Sequence, residues 1–216
     1  MTEVRVAGTP MEIELIARSL GTDAKMRRRR DGGTFGYLEV RAPKVICLDC
    51  ETTGLDPYRD EILSLSIIDW DGNVLHDAKY KPKYVKEWPE ASRINGIYPH
   101  HVRNRPHFLD DLEEVREIVW GADEIIAYNA SFDLSFLNCN DCGPTVAHKI
   151  TDTMLQYARE IGEWDRAHDG WKWHKLTDAA AHIGYEWTGK AHGSLADARA
   201  CLAVQKWVEL QRRKDD

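Results

Sequence analysis

The sequence predicts an α/β fold: a mixed sheet with helices on both faces, preceded by a small β-α-β appendage. Two observations carry this expectation. Between residues 45 and 81, three β-rich runs follow one another through short turns, the pattern of a meander. From residue 110 to 212, helical and strand-like segments alternate. A meander joined to such an alternation forms a mixed sheet covered by helices.

The elements follow in order. Residues 1–43 make the appendage, with a strand at 4–7 and a helix at 11–20. Thr9 stands ready to cap that helix, with Pro10 at its first position. Arg27 to Arg30 read as a solvated basic turn, with a phosphate-tracking patch as the second reading, Gly32-Gly33 as the return, and 35–40 as a strand. Residues 44–216 make the main domain. The run 45–51 is β-rich and bounded by Pro43 and Gly54. Residues 62–70 alternate Leu and Ser as a half-buried strand does, and Asp71-Gly72-Asn73 turns into a strand at 74–81. A helix at 110–120, a strand at 124–128, a helix from Ala130, a strand at 149–151 and a helix through Ile161 come next. The last helix spans 194–212, with Cys201, Val204 and Val208 on one stripe.

Composition sets limits. A chain of 216 residues holds one substantial core. No apolar run is long enough to span a membrane, and the N-terminus lacks a basic leader followed by an apolar stretch. Five irregularly spaced cysteines argue against a disulfide framework and for a reducing, cytoplasmic setting. The net charge of −7 is opposite to that of a tight nucleic-acid binder. A phosphodiester substrate would therefore need local charge compensation, most simply by divalent cations, and its binding should weaken with salt.

Three segments carry chemistry. In VICLDCETTGLDP, Asp49 and Glu51 are two apart on a strand and share a face. Paired carboxylates repel unless neutralised, and hard divalent cations suit such oxygen ligands. In IIAYNASFDLSFLN, Asn129 can cap a helix and place Asp133 in its first turn, where an acid is also favoured by the helix dipole alone. In HGSLADARA, Ser194 and Asp197 fit a capping box, and His192 lies on the loop before it. Each piece alone has an ordinary structural explanation.

Taken in order, Asp49-Cys50-Glu51, Asn129-Ala130-Ser131-Phe132-Asp133 and His192 with Asp197 resemble the DEDD exonuclease family in its histidine-containing branch. That branch includes replicative proofreading subunits, RNase T and oligoribonuclease. Thr52-Thr53-Gly54-Leu55, Asp152-Thr153 and Leu195-Ala196-Asp197-Ala198 extend the likeness over residues 44–214. It implies an RNase H-like core with a five-stranded mixed sheet, and two divalent metal ions, Mg²⁺ or Mn²⁺, about 3.5–4 Å apart. Asp49, Glu51 and Asp197 would hold the first ion. Asp49 would bridge to the second, Asp133 would reach it through water, and His192 would act as general base. Thr52 and Leu55 resemble positions that touch the terminal nucleotide, and Asn95, Asn129 and Phe132 join them as candidate substrate contacts. Asn95-Gly96-Ile97 departs from the His-Gly-Ile of many relatives.

The implied activity is 3′→5′ exonucleolytic release of nucleoside monophosphates from single-stranded or frayed ends, DNA rather than RNA. Proofreading or DNA processing beside a polymerase or other replication partner would fit. The alternatives are an exoribonuclease of the RNase T or oligoribonuclease type, and a non-catalytic nucleic-acid-binding module. Among the remaining features, Cys47 and Cys50 face opposite sides of a strand and cannot grip one zinc ion. Cys139 and Cys142 lack further ligands nearby apart from His148. Trp164, Trp171 and Trp173 read as core packing, with base stacking as the second reading.

Overall fold

A computed structural model describes residues 3–19, 25–28, 34–41, 43–187 and 192–215. The chain divides into two compact units, 1–43 and 44–216. The first contains β1 (Glu3–Gly8), α1 (Pro10–Ser19), β2 (Lys25–Arg28) and β3 (Thr34–Arg41), its antiparallel sheet running β1-β3-β2. Thr9 caps α1 reciprocally: its N–H donates to Glu12 Oε2 at 2.9 Å, and the Glu12 N–H donates to Thr9 Oγ1 at 3.4 Å. The basic run corrects the expected turn. Arg27 and Arg28 pair with β3 in a ladder, so the unit is β-α-β-β. A ladder is made by backbone groups, which a run of cations leaves free to pair. Leu20, Arg29, Arg30 and the Gly32-Gly33 pair lie outside the described residues.

In the second unit, β4 (Val45–Thr52), β5 (Ile62–Asp69) and β6 (Val74–Lys79) form the meander. Then come α2 (Pro89–Asn95), α3 (Pro99–Val102), α4 (Leu112–Trp120), β7 (Glu124–Ala127), α5 (Ala130–Cys139), β8 (Lys149–Asp152) and α6 (Thr153–Ile161). A small hairpin of β9 (Trp164–Asp165) and β10 (Gly170–Trp171), then α7 (Leu176–His182) and α8 (Ser194–Asp215), complete the unit. The five-stranded sheet runs β6-β5-β4-β7-β8, antiparallel among β6, β5 and β4 and parallel from β4 through β8. This is the RNase H-like arrangement that the motifs imply.

The alternation along β4 sorts its side chains into two layers. Ile46, Leu48 and Cys50 join the core formed with α4 and α5, including Val115, Val119, Phe136 and Leu137. Cys47 joins the opposite core with Ala198, Cys201 and Leu202 of α8. Cys47 and Cys50 therefore lie on different sides of the sheet. Asp49 and Glu51 follow the parity of Cys47 and face the start of α8. The Cys142 thiol donates to the Leu137 carbonyl, and Cys139 is exposed.

Five pieces among the described residues escaped the periodicity reading: α2, α3, the 3-10 turn at Phe108–Asp110, α7 and the β9–β10 hairpin. Both α2 and α3 begin on proline at the first helical turn, a start signal present in Trp88-Pro89 and Tyr98-Pro99. Gly96, at φ 69°, closes α2 in the left-handed region that favours glycine. The tryptophans also depart from expectation. Trp164, Trp171 and Trp173 stay largely exposed, with Trp164 and Trp171 edge-to-face at 5.1 Å on the hairpin. Two-residue strands are too short to turn these rings into a core.

Candidate active site

The site is assembled where β4 outruns its parallel neighbour. β7 pairs with β4 only from Val45 to Cys47, so the upper half of β4 has no strand on that side. The Cys50 N–H would be left unpaired in a buried place, and a buried orphan donor is costly. Asp133 satisfies it. Its Oδ1 accepts from the Cys50 N–H at 2.8 Å, and the side chain is 2% exposed.

Asp133 is delivered by α5, but the expected cap is not made. Asn129 precedes the helix in a left-handed conformation, φ 60°, and its side chain forms no cap hydrogen bond. Its exposed amide oxygen accepts from the Ser131 hydroxyl at 3.3 Å instead. The cap is supplied by Asp152. One carboxylate oxygen accepts from the Ala130 N–H at 2.9 Å, and the other from the Leu155 N–H at 3.2 Å. A single acid at the end of β8 thus seats the N-termini of both α5 and α6, where its charge also suits the two dipoles.

Asp197 arrives on α8, and again the expected cap differs. Ser194 turns its hydroxyl to Ser64, at 3.0 Å, and Ser66, at 2.8 Å, docking the helix on β5. Asp197 Oδ1 accepts from the His192 N–H at 3.2 Å. The result brings Asp49, Glu51 and Asp197 together, each offering a carboxylate oxygen within 4.8 Å of the others. Residues 49 and 197 come from opposite ends of the unit, and the acid cluster is the floor of the site.

Electrostatics records the crowding. Burial raises the Asp49 carboxyl well above its usual range, helped by repulsion from Asp133, Glu51 and Asp197. Burial, with Asp197 and Asp133, pushes Glu51 up to about 8, opposed by a hydrogen bond from Asn95 and by the Lys79 charge. Asp133 is pushed up to about 7 by burial, against the lowering pull of its bond from Cys50. Asp197 is raised by burial and drawn down by the His192 N–H. Four carboxyls held this way are poor company for each other and good company for a cation. The donor set is all oxygen, which fits a hard divalent ion.

Beside the acids lies a cavity of about 640 Å³, lined by Glu51, Thr52, Leu55, Ile94, Asn95 and Phe132 among others. Its rim is apolar and outward-facing: Leu55 is 83% exposed and Ile94 66%. Thr52 donates its hydroxyl to the Gly54 carbonyl. Asn95 has both ends engaged, its Nδ2 donating to the Thr52 carbonyl at 3.2 Å and its Oδ1 accepting from the Ile97 N–H at 2.9 Å. The loop after β4 is locked by Asp60, a residue the motif reading missed. Asp60 accepts from the Thr53 hydroxyl at 2.9 Å and from the Asp56 N–H at 3.0 Å. A Cβ at Gly54 would run into the Asp60 carboxylate, which explains the glycine after Thr-Thr. An acid following that glycine in an otherwise turn-like stretch was the signal available.

His192 meets the floor through its backbone N–H, which donates to Asp197. It has φ 66°, its ring is exposed, and it lines a neighbouring cavity of about 390 Å³ with Asp77, Lys79 and Asn95. Asn95 borders both cavities.

The family described as Exonuclease matches residues 46–205. The chain belongs to this exonuclease family. An uncharacterized exonuclease of Escherichia phage 186 is 35% identical over 170 residues, covering 74% of this chain and 84% of the phage protein. The DNA polymerase III subunit epsilon of Treponema pallidum is 28% identical over 162 residues, covering 72% of each chain. Among solved structures, E. coli Exonuclease I in complex with a dA16 oligonucleotide superposes with a TM-score of 0.64 at 21% identity, over 80% of this chain and 42% of that one. The chain thus spans less than half the length of Exonuclease I. Family and fold agree with a DnaQ-like 3′–5′ exonuclease enzyme.

Proposed function

We propose that the protein shortens single-stranded or frayed DNA from the 3′ end, releasing nucleoside 5′-monophosphates, with Mg²⁺ or Mn²⁺ as cofactor. The observation that carries this reading is the convergence of Asp49, Glu51 and Asp197, within 4.8 Å, beside a cavity with an apolar rim that Glu51 lines. Asp49, Glu51 and Asp197 would hold one ion, and Asp49 and Asp133 a second. A pair of such ions supplies charge stabilisation for the attacking and leaving oxygens of an in-line displacement.

The chain's own residues do the rest. Leu55, Ile94 and Phe132 offer apolar surface for the terminal base. Thr52 and Asn95 line the wall beside it, and Asn129 stands exposed at the start of α5. Asn95 also draws the Glu51 carboxyl down toward its charged form. His192 is the candidate base. Ahead of α8, with its N–H tied to Asp197, its solvent-facing ring is free to take the proton of the attacking water. The new bond forms between the water oxygen and phosphorus. The bond from phosphorus to the 3′ oxygen of the preceding nucleotide breaks, and the shortened strand keeps a 3′ hydroxyl.

The likeness to a polymerase III epsilon subunit supports a place beside a replication partner. Among the described residues no helix is long and apolar enough to cross a membrane, and a cytoplasmic setting is part of the proposal. A 5′-labelled single strand with Mn²⁺ should shorten stepwise, whereas a circular single strand should survive. Cutting of the circle at a similar rate would mean an endonuclease. Competition between matched DNA and RNA oligomers decides the sugar, and faster loss of RNA would replace the DNA reading with an exoribonuclease.

A further inference from the structure

A second groove adjoins the site. Asp60 lines both the cavity beside the acids and a cleft of about 270 Å³ bordered by Tyr58, Arg59, Lys81, Lys83, Tyr84 and Leu109. The two spaces therefore lie on either side of one loop. Two features set this cleft apart from ordinary surface.

The first is its aromatics. Tyr58 is 88% exposed and Tyr84 74%. Neither ring serves the core, and both stand in a concave place. The second is its charge. The chain carries a net −7, yet the cleft presents Arg59 together with Lys81 and Lys83 of the segment from Lys81 to His107, while its acids Asp60 and Glu61 are engaged by loop hydrogen bonds. Two hydrogen bonds join the ends of that segment. The Lys81 N–H donates to the Pro106 carbonyl at 2.8 Å, and His107 Nδ1 lies 2.7 Å from the Lys81 carbonyl. Among the described residues Lys81 and Lys83 have no ion-pair partner.

The platform is also held still. Glu61 accepts from the backbone N–H groups of Lys83, Tyr84 and Val85 at 2.7 Å, 2.8 Å and 2.7 Å. This pins the loop through its backbone and leaves the Lys83 and Tyr84 side chains outward. Lys83 Nζ lies 5.2 Å from the centre of the Tyr84 ring, so ring and cation present together.

We infer that this groove binds the substrate strand upstream of the scissile phosphate, with unpaired bases stacking on Tyr58 and Tyr84 and the backbone phosphates drawn by Lys81 and Lys83. Stacking on exposed rings beside cations tolerates any base sequence, which suits a strand that must advance after every cut. The phosphate contacts also reconcile an acidic protein with a polyanionic substrate, because the attraction is local.

The inference rests on the exonuclease reading, and the test separates the two. Two substrates are compared with Mn²⁺: an oligothymidylate of about twenty nucleotides, which reaches the groove, and the p-nitrophenyl ester of thymidine 5′-monophosphate, which does not. In the double variant Lys83→Ala, Tyr84→Ala, KM for the oligomer should rise about tenfold or more and lose part of its salt dependence, with the ester rate unchanged. Tyr84→Phe, which keeps the ring, should behave as wild type. Unchanged KM for the oligomer in the double variant overturns the groove and leaves the exonuclease reading standing. A parallel fall on both substrates also overturns it, because the side chains would then be supporting the catalytic cavity. If the wild type hydrolyses neither substrate, the exonuclease reading fails and the groove with it.

Discussion

The two halves of β4 obey opposite rules. Its lower half, through Leu48, pairs with β5, pairs with β7 as far as Cys47, and buries apolar side chains in two cores. Its upper half keeps β5, loses β7, and carries Asp49 and Glu51 into a crowd of carboxyls. One strand thus stabilises the fold at one end and opposes it at the other. The lesson is that the acidic end is tolerated because the apolar end anchors it, and the proposed cation would relieve the repulsion.

The sharpest way to break this contrast is Asp49→Asn. Losing an ion ligand removes several kcal/mol of transition-state stabilisation, so the turnover of a 5′-labelled oligomer should fall about a thousandfold or more. The metal-free melting temperature should hold or rise, because one repelling charge is gone. A variant that melted lower and kept its activity would reverse the assignment of roles along β4.

Leu48→Ala tests the other half. Leu48 is fully buried, and its truncation should cost about 2–5 kcal/mol in urea unfolding. The kcat of the fraction still folded should stay near wild type. A large loss of kcat in the folded fraction would show that the two halves are not separable.

Metal and pH sharpen the contrast further. Without a cation, the Glu51 carboxyl is raised from 4.5 to about 8 and Asp133 from 3.8 to about 7. Groups raised in the folded state contribute stability below their unfolded values and lose it as pH climbs through the folded ones. Metal-free protein should therefore weaken steadily from about pH 4 to 8. Mn²⁺ at a hundred times its dissociation constant should restore about 2.7 kcal/mol, and its thermal shift should be larger at the alkaline end. A pH-independent melting temperature without metal, or an Mn²⁺ shift that grows toward acid, would argue against an ion held by these acids.

The smallest expected effect is at Asn95. Asn95→Ala removes the amide that bonds the Thr52 carbonyl and draws the Glu51 carboxyl down, an effect of about 1 kcal/mol, or roughly fivefold in kcat. Asn95→His, which again offers a side-chain donor, should recover most of it. A loss confined to KM would place Asn95 on the nucleotide instead.

How much of this was legible beforehand varies with range along the chain. Period-two alternation is a property of neighbouring residues, so it already put Asp49 and Glu51 on one face of an apolar strand and marked out the meander. Thr9 and Pro10 likewise announced the start of α1. Short helices were lost for the opposite reason: α2 and α3 are shorter than a periodicity needs, and only their prolines betrayed them.

Contacts across long separations were beyond any local pattern. Asp133 meets Cys50 across 83 positions because β7 stops early and uncovers an N–H, and nothing in either segment says so. The same holds for Asp152 capping two helices, Ser194 turning from its own helix to β5, and Asp60 closing the loop against Gly54. Local order comes from the chain's stereochemistry. Which acid faces which depends on where strands end and helices dock, and only the folded molecule settles that.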